Sequence, residues 1–517
     1  MRYIHEAFDA WVRTTPAQDF LICTDRIWSF ADVAVLVDAL EAELLALHVR
    51  RGDRVLTIAE NCPEHVALVL ACSRVGAWSC GINARMSEGE VAAFYQKADP
   101  RVVYFTSAVS DSAKRHAANP HGAWLAGQVA PQSSVVAALQ RSDCLKNAVA
   151  EVDSQQGDIA AIIFTSGTTG TPKGVLVTHA GLLQFGRVSC ASRALTAQDR
   201  AYAYVPMTHI FGLGTVLMSA LTAGSSLVMR SQFDPADVLD ALAHHGVSNL
   251  QGPPALFVRV LAYAKAQGIT RLQATSRAAL RYIYTGAAPL DLELKAQVQN
   301  FFDLPLHHGY GLSEYAGALT LCTHGQWRDD TSAGYVVEGG ALRLVTQEGC
   351  DAAVGETAEI WMRGVGLMPG YFRDAEATQQ VMRLAEDGGQ AWYASGDLGR
   401  QDTDGALTVV GRLKEMIVRS GFNVYPAEVE SVLCSFSSIH RAAVLGQKQA
   451  DGNEAVIAFV ELEPGQTLDR DALQTHIQSH LAPYKRPSRI DIIEALPMTL
   501  SGKVLKRELL ELMRVRS

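Results

Sequence analysis

Residues 158–174 read DIAAIIFTSGTTGTPKG, and this one stretch limits the folds open to the chain. Its first half, Ile159 to Phe164, is an unbroken apolar run containing β-branched residues. A run of that length predicts a strand buried on both faces, which calls for helices above and below a sheet. The apolar run passes directly into Thr165-Ser166-Gly167-Thr168-Thr169-Gly170-Thr171-Pro172-Lys173-Gly174. Glycines allow the backbone to approach a ligand closely, hydroxyls add donors, and successive exposed N–H groups form an anion-binding nest to which Lys173 adds charge. This is the chemistry of a polyphosphate cradle. It is not a Walker A loop, which needs Gly before the Lys and Ser or Thr after it; here Pro172 precedes and Gly174 follows. A Ser/Gly linker, the alternative, would not abut a buried strand.

Elsewhere, segments of helical periodicity alternate with short apolar runs such as RVVYF at 101–105, so the predicted class is α/β. Residues 110–150, rich in Ala, Ser, Gln and Asn, read as a surface connection. The character changes near Gly411–Lys414. An extended, hairpin-like stretch from Ala406 leads to a helix with Val429, Val432, Leu433 and Phe436 on one stripe. A strand at 455–462 follows, then a helix with Leu473, Ile477 and Leu481 on one face and Asp469 as its cap. The expected organisation is a large N-terminal domain of layered sheets and helices, 1–411, and a small mobile α+β domain, 412–517.

The formal charge of −9 argues against nucleic acid as a partner, which needs a broad basic face. The nine cysteines are scattered, with no C-x-x-C pair and no zinc spacing, as in a reducing compartment. The N-terminus lacks the apolar core of a signal peptide, and no apolar run reaches the ~20 residues of a membrane span. The expectation is a cytoplasmic protein without a membrane span.

Six further blocks follow the cradle: PMTHIFG at 206–212, TGAAPL at 285–290, YGLSE at 310–314, SGDL at 395–398, GRLKEMI at 411–417 and SGK at 501–503. With TSGTTGTPKG, and in this order, they resemble the signatures of the adenylate-forming superfamily of acyl-CoA synthetases, stand-alone adenylation domains and luciferases. The resemblance spans essentially the whole chain. It implies a reaction in two halves. A carboxylate attacks the α-phosphorus of ATP, releasing pyrophosphate and giving an acyl-adenylate; a thiol then takes the acyl group and AMP leaves.

The resemblance also implies roles. Thr165, Ser166, Gly167, Thr168, Thr169, Gly170 and Lys173 would hold phosphates. Gly286, Ala287, Ala288, Tyr310 and Gly311 would form the adenine slot. Ser313 would bond the α-phosphate and Glu314 would bind Mg²⁺. Asp397 would take the ribose hydroxyls, with Arg412 beside it. Lys503 would be the mobile catalytic lysine, Lys414 the hinge, and His209 a gate beside the reacting carboxylate. Ser313 stands where Thr is commoner, and keeps the hydroxyl. Segment 325–345 follows the family's Gly-Pro-rich pattern only loosely.

For the acceptor, Tyr484 and Arg486 in YKRP, Arg85 in GINARMSEGE, and Gly421 resemble CoA-binding positions. A carrier-protein-loading enzyme, with its phosphopantetheine arm entering the same channel, is the alternative. A non-catalytic nucleotide sensor is disfavoured by the presence of Lys173, Glu314 and Lys503 together. For the acid, Phe211, Leu213, Gly252, Tyr284, Gly309 and Ala316 are candidate pocket residues, apolar or small, suiting an aromatic ring or a medium aliphatic chain. Residues 205–219 hold no Asp or Glu to pair an ammonium, which disfavours an amino acid. The oligomeric state is left open, a homodimer among the alternatives.

Overall fold

The computed structural model describes residues 1–118, 132–133, 138–143, 158–165, 173–385, 387–419, 422–449, 454–498 and 504–515. The fold is mixed α/β, with a large N-terminal part and a smaller C-terminal part. A seven-stranded sheet has the parallel strands Val102–Phe105, Arg54–Ala59, Trp78–Asn83 and Ile159–Thr165 at its centre. Ile159, Ala160, Ala161, Ile162 and Ile163 are all buried, as the unbroken apolar run predicts. Lys173–Thr178 returns antiparallel along it, with Thr165 opposite Lys173.

A nine-stranded sheet holds six consecutive parallel strands: Leu306–Leu312, Tyr282–Thr285, Asn249–Gly252, Arg200–Ala203, Ser226–Met229 and Asp19–Ile22. From Arg200–Ala203 the chain winds first to one neighbour and then to the other. The strand order therefore reverses there, and the carboxyl ends of the flanking strands diverge into a crevice. The helix His179–Arg193, its first turn capped by Thr178, packs against Gly317–Leu321, the antiparallel neighbour of Leu306–Leu312 in this sheet. Residues 211–218 form a π-helix, Phe211–Met218, entirely buried. Such i→i+5 turns are rare and cluster at functional sites.

A third sheet combines Gly340–Val345, Ala358–Gly364, Met382–Arg383, Trp392–Gln401 and Leu407–Arg412. The stretch read as one hairpin from Ala406 therefore divides. Leu407–Arg412 pairs with Trp392–Gln401, and only Ile417–Arg419 and Phe422–Val424 pair with each other. Between them, a single 3-10 turn, Leu413–Glu415, carries Lys414 exposed.

Beyond it, Ile439–Lys448, Glu454–Leu462 and Arg489–Ile492 form a sheet covered by the helices Pro426–Cys434, Arg470–His480 and Lys506–Val515. Val429 and Leu433 on the first helix and Leu473 and Ile477 on the second are buried in one core; Asp469 caps the second through Asp471 and Ala472.

Within 110–150, the segment read as a surface connection, the described residues 110–118 and 138–143 contain regular elements. Ser110 caps a helix, Asp111–Ala118, that buries Ala113 and Ala117, and Gln140–Asp143 adds a strand beside Val102–Phe105. The short helix escaped notice because it buries only one narrow face.

Candidate active site

Three of the predicted blocks, at 206–212, 285–290 and 310–314, fall at or just beyond the carboxyl ends of Arg200–Ala203, Tyr282–Thr285 and Leu306–Leu312, and SGDL lies within Trp392–Gln401. Tyr310 lies on Leu306–Leu312 and donates its hydroxyl to Asp397 Oδ2 at 2.7 Å. Asp397 is 5% exposed, and Arg412, its cross-strand partner, places Nε 3.0 Å from Oδ1. One carboxylate is thus fixed between a tyrosine and an arginine. Its remaining lone pairs suit a vicinal diol, because Asp accepts from two donors at once.

Glu314 follows on a 3-10 turn, Ser313–Tyr315, where Ser313 is buried. Tyr371 donates its hydroxyl to Glu314 Oε1 at 2.9 Å, and Tyr393 Oη lies 3.4 Å from Tyr371 Oη. Lys173 Nζ stands 4.8 Å from the Tyr371 ring centre, a cation over an aromatic face. Burial pushes the Glu314 carboxyl above the usual range, with backbone and Tyr371 hydrogen bonds pulling partly back. A magnesium ion commonly takes one or two carboxylates and completes its shell with phosphate oxygens and water. A desolvated carboxylate held by the Tyr371 hydroxyl and a backbone N–H, with Lys173 over the Tyr371 ring, fits that need. Among the described residues, no group of three or more His, Cys, Asp or Glu forms an all-protein cage.

Backbone sterics shape the slot between these groups. Ala287 and Ala316 have φ of 67° and 53°, left-handed values that cost a non-glycine residue energy and concentrate at functional sites. Gly311 sits at an irregularity in the pairing with Gly317–Leu321, and a Cβ there would lie 2.1 Å from the Gly317 carbonyl oxygen. Gly286 and Gly309 both face the Tyr284 hydroxyl, at 3.0 and 2.5 Å from where a Cβ would stand. Ala288, next in the same loop, is the third small residue there.

On the other side of the crevice, His209 Nδ1 accepts from the Phe211 N–H at 3.1 Å, which leaves its proton on Nε2. The protein packed around the ring lowers its pKa by desolvation, yet the side chain keeps exposed surface, the combination expected at the wall of a deep cleft. Phe211 meets Tyr284 edge-on at 5.9 Å between ring centres. Leu213 is buried on the π-helix; a Cβ on Gly252 would meet the Tyr204 hydroxyl at 2.6 Å. Ala316 is buried against Gly181 of the neighbouring helix.

Other predicted residues have separate partners. Arg85 pairs with the buried Glu60 at 2.9 Å and donates to the Ser231 carbonyl. Arg486 donates to the carbonyls of Leu481 and Gln478, closing the helix Arg470–His480, while Tyr484 packs on the C-terminal core. Ser166, Gly167, Thr168, Thr169, Gly170, Gly421 and Lys503 lie outside the described residues. Tyr371 and Tyr393 were missed by sequence reasoning. Tyr371 is the next-to-last residue of the motif-like run GETAEIWMRGVGLMPGYF at 355–372, so its place there was the available signal.

A buried aspartate in a tyrosine–arginine clasp within Trp392–Gln401, and a glutamate just beyond Leu306–Leu312 bonded to a tyrosine that lies under a lysine, with small residues nearby, define a nucleotide-handling enzyme site. The chain belongs to the AMP-binding enzyme family: that family's model matches residues 8–372, and the model of the AMP-binding enzyme C-terminal domain matches 428–503. Among its relatives, 4-coumarate–CoA ligase 2 of Solanum tuberosum is 30% identical over 496 residues, covering 94% of this chain and 89% of the relative. The 3-[(3aS,4S,7aS)-7a-methyl-1,5-dioxo-octahydro-1H-inden-4-yl]propanoyl:CoA ligase of Mycobacterium tuberculosis is 30% identical over 535 residues, covering 99% of each. ATP-bound MatB of Rhodopseudomonas palustris superposes with a TM-score of 0.85 at 26% identity, covering 99% of each chain.

Proposed function

We propose that this protein joins an aromatic or medium-chain aliphatic carboxylic acid to CoA. It is an AMP-forming acid–CoA ligase that uses ATP and Mg²⁺ and works through an acyl-adenylate. The observation that carries the adenylation half is the Tyr310–Asp397–Arg412 clasp beside Glu314, Tyr371 and Lys173. In this reading Asp397 holds the ribose diol, and Gly286, Ala287, Ala288 and Gly311 admit the adenine beside Tyr310. Ser313 and Lys173 meet the phosphates together with residues 165–170. Glu314 would hold the magnesium ion, which offsets the charge of the phosphate oxygens. Two anions must meet for the acyl phosphate bond to form, so positioned cations supply much of the barrier lowering; Lys503 is assigned that task at the α-phosphate.

The preference for an aromatic or medium-chain aliphatic acid rests on the edge-on Phe211–Tyr284 pair, with Leu213, Gly252, Gly309 and Ala316 around it, and on the aryl acid in the name of the 4-coumarate–CoA ligase relative. His209, with Nε2–H free of the Phe211 contact, is assigned to the carboxylate of the acid. We place the domain boundary at 411/412, at the end of the last strand of the third sheet, with Lys414 as the hinge. Arg85, Gly421, Tyr484 and Arg486 are assigned to CoA. For Arg85 and Arg486 this requires that they share or leave their present partners.

The test is one incubation with ATP, Mg²⁺ and pooled aryl and alkyl acids, with and without CoA, read by mass spectrometry. An aryl or medium-chain acyl-CoA formed only with CoA is the expected product. Acyl-adenylates that persist in both tubes would instead point to a carrier protein as the acceptor.

A further inference from the structure

Arg193 ends the helix His179–Arg193 and is fully buried. Its Nη1 donates to the Thr215 carbonyl at 3.1 Å and to Gln251 Oε1 at 2.7 Å. Its guanidinium carbon lies 4.9 Å from the Tyr284 ring centre and 5.7 Å from that of Tyr282. Nε and Nη2 have no hydrogen-bond partner, and among the described residues no carboxylate pairs with this arginine. Asp199, the acid nearest along the chain, is held by Arg281 at 2.6 Å. A buried cation without an anion is costly, and folded proteins leave few buried polar groups unpaired. Here the unpaired groups gather. Gln251 Nε2, both amide atoms of Asn249 and Ser189 Oγ also lack partners.

The place matters as much as the deficit. Thr215 belongs to the π-helix that carries Phe211 and Leu213, Gln251 immediately precedes Gly252, and Tyr284 is itself a candidate wall. Arg193 therefore touches three sides of the proposed acid pocket. Its backbone carbonyl, which accepts from Arg281 just ahead of Tyr282–Thr285, marks the amino ends of the strands, and its guanidinium reaches from there to Gln251 and the Tyr284 ring.

We infer that the acid carries a second carboxylate at the end remote from the reacting one, and that Arg193 receives it through Nε–H and Nη2–H. This rests on the ligase reading above. That edge of a guanidinium offers two parallel N–H bonds, the geometry a carboxylate takes bidentately. Gln251 Nε2 is a further donor beside it. Tyr284, 4% exposed and lying over the guanidinium, turns aside to admit the group.

The experiment compares matched substrates on the intact enzyme with ATP, Mg²⁺ and CoA: aliphatic and aryl dicarboxylic acids of increasing length, and the monomethyl ester of each. The expected result is a diacid whose kcat/KM exceeds that of its monoester by about 100-fold. Arg193→Met should bring the two within a few-fold of each other, chiefly by raising KM for the diacid, and Arg193→Lys should keep part of the gap. Monoesters used as well as or better than every diacid by the wild type would overturn the inference, as would a ratio unchanged by Arg193→Met. Should Arg193→Met fail to fold, the wild-type series decides by itself, with Gln251→Leu as the second variant, expected to narrow the ratio. Thioester from monoesters alone sinks this inference and spares the ligase reading; no thioester from any compound sinks both.

Discussion

Replacing Tyr371 by Phe isolates one hydrogen bond at the centre of the site. The hydroxyl donates to Glu314 Oε1 at 2.9 Å, while the ring beneath Lys173 Nζ is retained. A hydrogen bond to a charged group contributes about 1.5–3 kcal/mol. At about 1.4 kcal/mol per decade, its loss corresponds to roughly a 10–100-fold weaker grip on magnesium. Burial already raises the Glu314 carboxyl, and the Tyr371 hydroxyl is one of the groups pulling it down. Without that donor the pKa rises further, a proton competes better with the metal, and the acid limb of the pH–rate profile moves to higher pH. The assay is pyrophosphate release titrated with Mg²⁺ at saturating ATP and acid. The half-saturating Mg²⁺ concentration should rise by about 10–100-fold, with the rate at saturating metal within a few-fold of wild type. An unchanged Mg²⁺ requirement, or a loss of rate that metal does not restore, would refute the reasoning. Tyr371→Ala, which also removes the ring from Lys173, should raise KM for ATP in addition.

Three further outcomes are expected. Glu314→Gln should lower adenylation by about 1,000-fold yet raise the Tm of the ligand-free protein. The native carboxyl binds its proton more readily than the unfolded one, so its charge costs stability at neutral pH; wild-type stability should therefore rise as pH falls through the folded pKa, a gain the variant lacks. Gly311→Ala should destabilise by about 1–3 kcal/mol in urea unfolding and weaken ATP binding, since its methyl would sit 2.1 Å from the Gly317 carbonyl oxygen. Lys506→Met should cost about 1–2 kcal/mol in the C-terminal unfolding transition, because Glu415 and Glu430, now 2.8 and 3.1 Å from Nζ, lose their cation; Lys506→Arg should recover most of it.

The parts of this molecule legible in its sequence are those whose chemistry runs along the chain. The strand at 159–164 declares itself because every residue is apolar, and Tyr310, Ser313 and Glu314 fall within five consecutive residues. The Tyr371–Glu314 bond joins residues 57 positions apart, so no local pattern announces it. Arg193 ends a helix, and its periodic position there says nothing of Tyr284 and Gln251, which the sheet brings from far along the chain. Arg85 and Arg486 show the opposite limit. The sequence displays their charge but not that a buried Glu60 and the end of a helix already engage it. The helix Asp111–Ala118 stayed hidden because eight residues make too short a window for a periodic signal.

The return of the chain as a strand at Lys173 has an electrostatic consequence. Where a phosphate loop leads into a helix, the helix macrodipole contributes a fixed half-charge aimed at the anion, and no ion need bind to supply it. Here the segment after Thr165 re-enters the same sheet opposite the residue it left, and a strand contributes little net dipole. In the proposed reading, the attraction for a triphosphate beyond the loop's own N–H groups then comes from discrete charges: the Lys173 and Lys503 ammonium groups, and a metal ion that Glu314 would hold. Such charges are screened by salt and, for the metal, set by its concentration. Nucleotide affinity in this protein should accordingly follow ionic strength and free magnesium more steeply than in enzymes whose phosphate loops end on a helix.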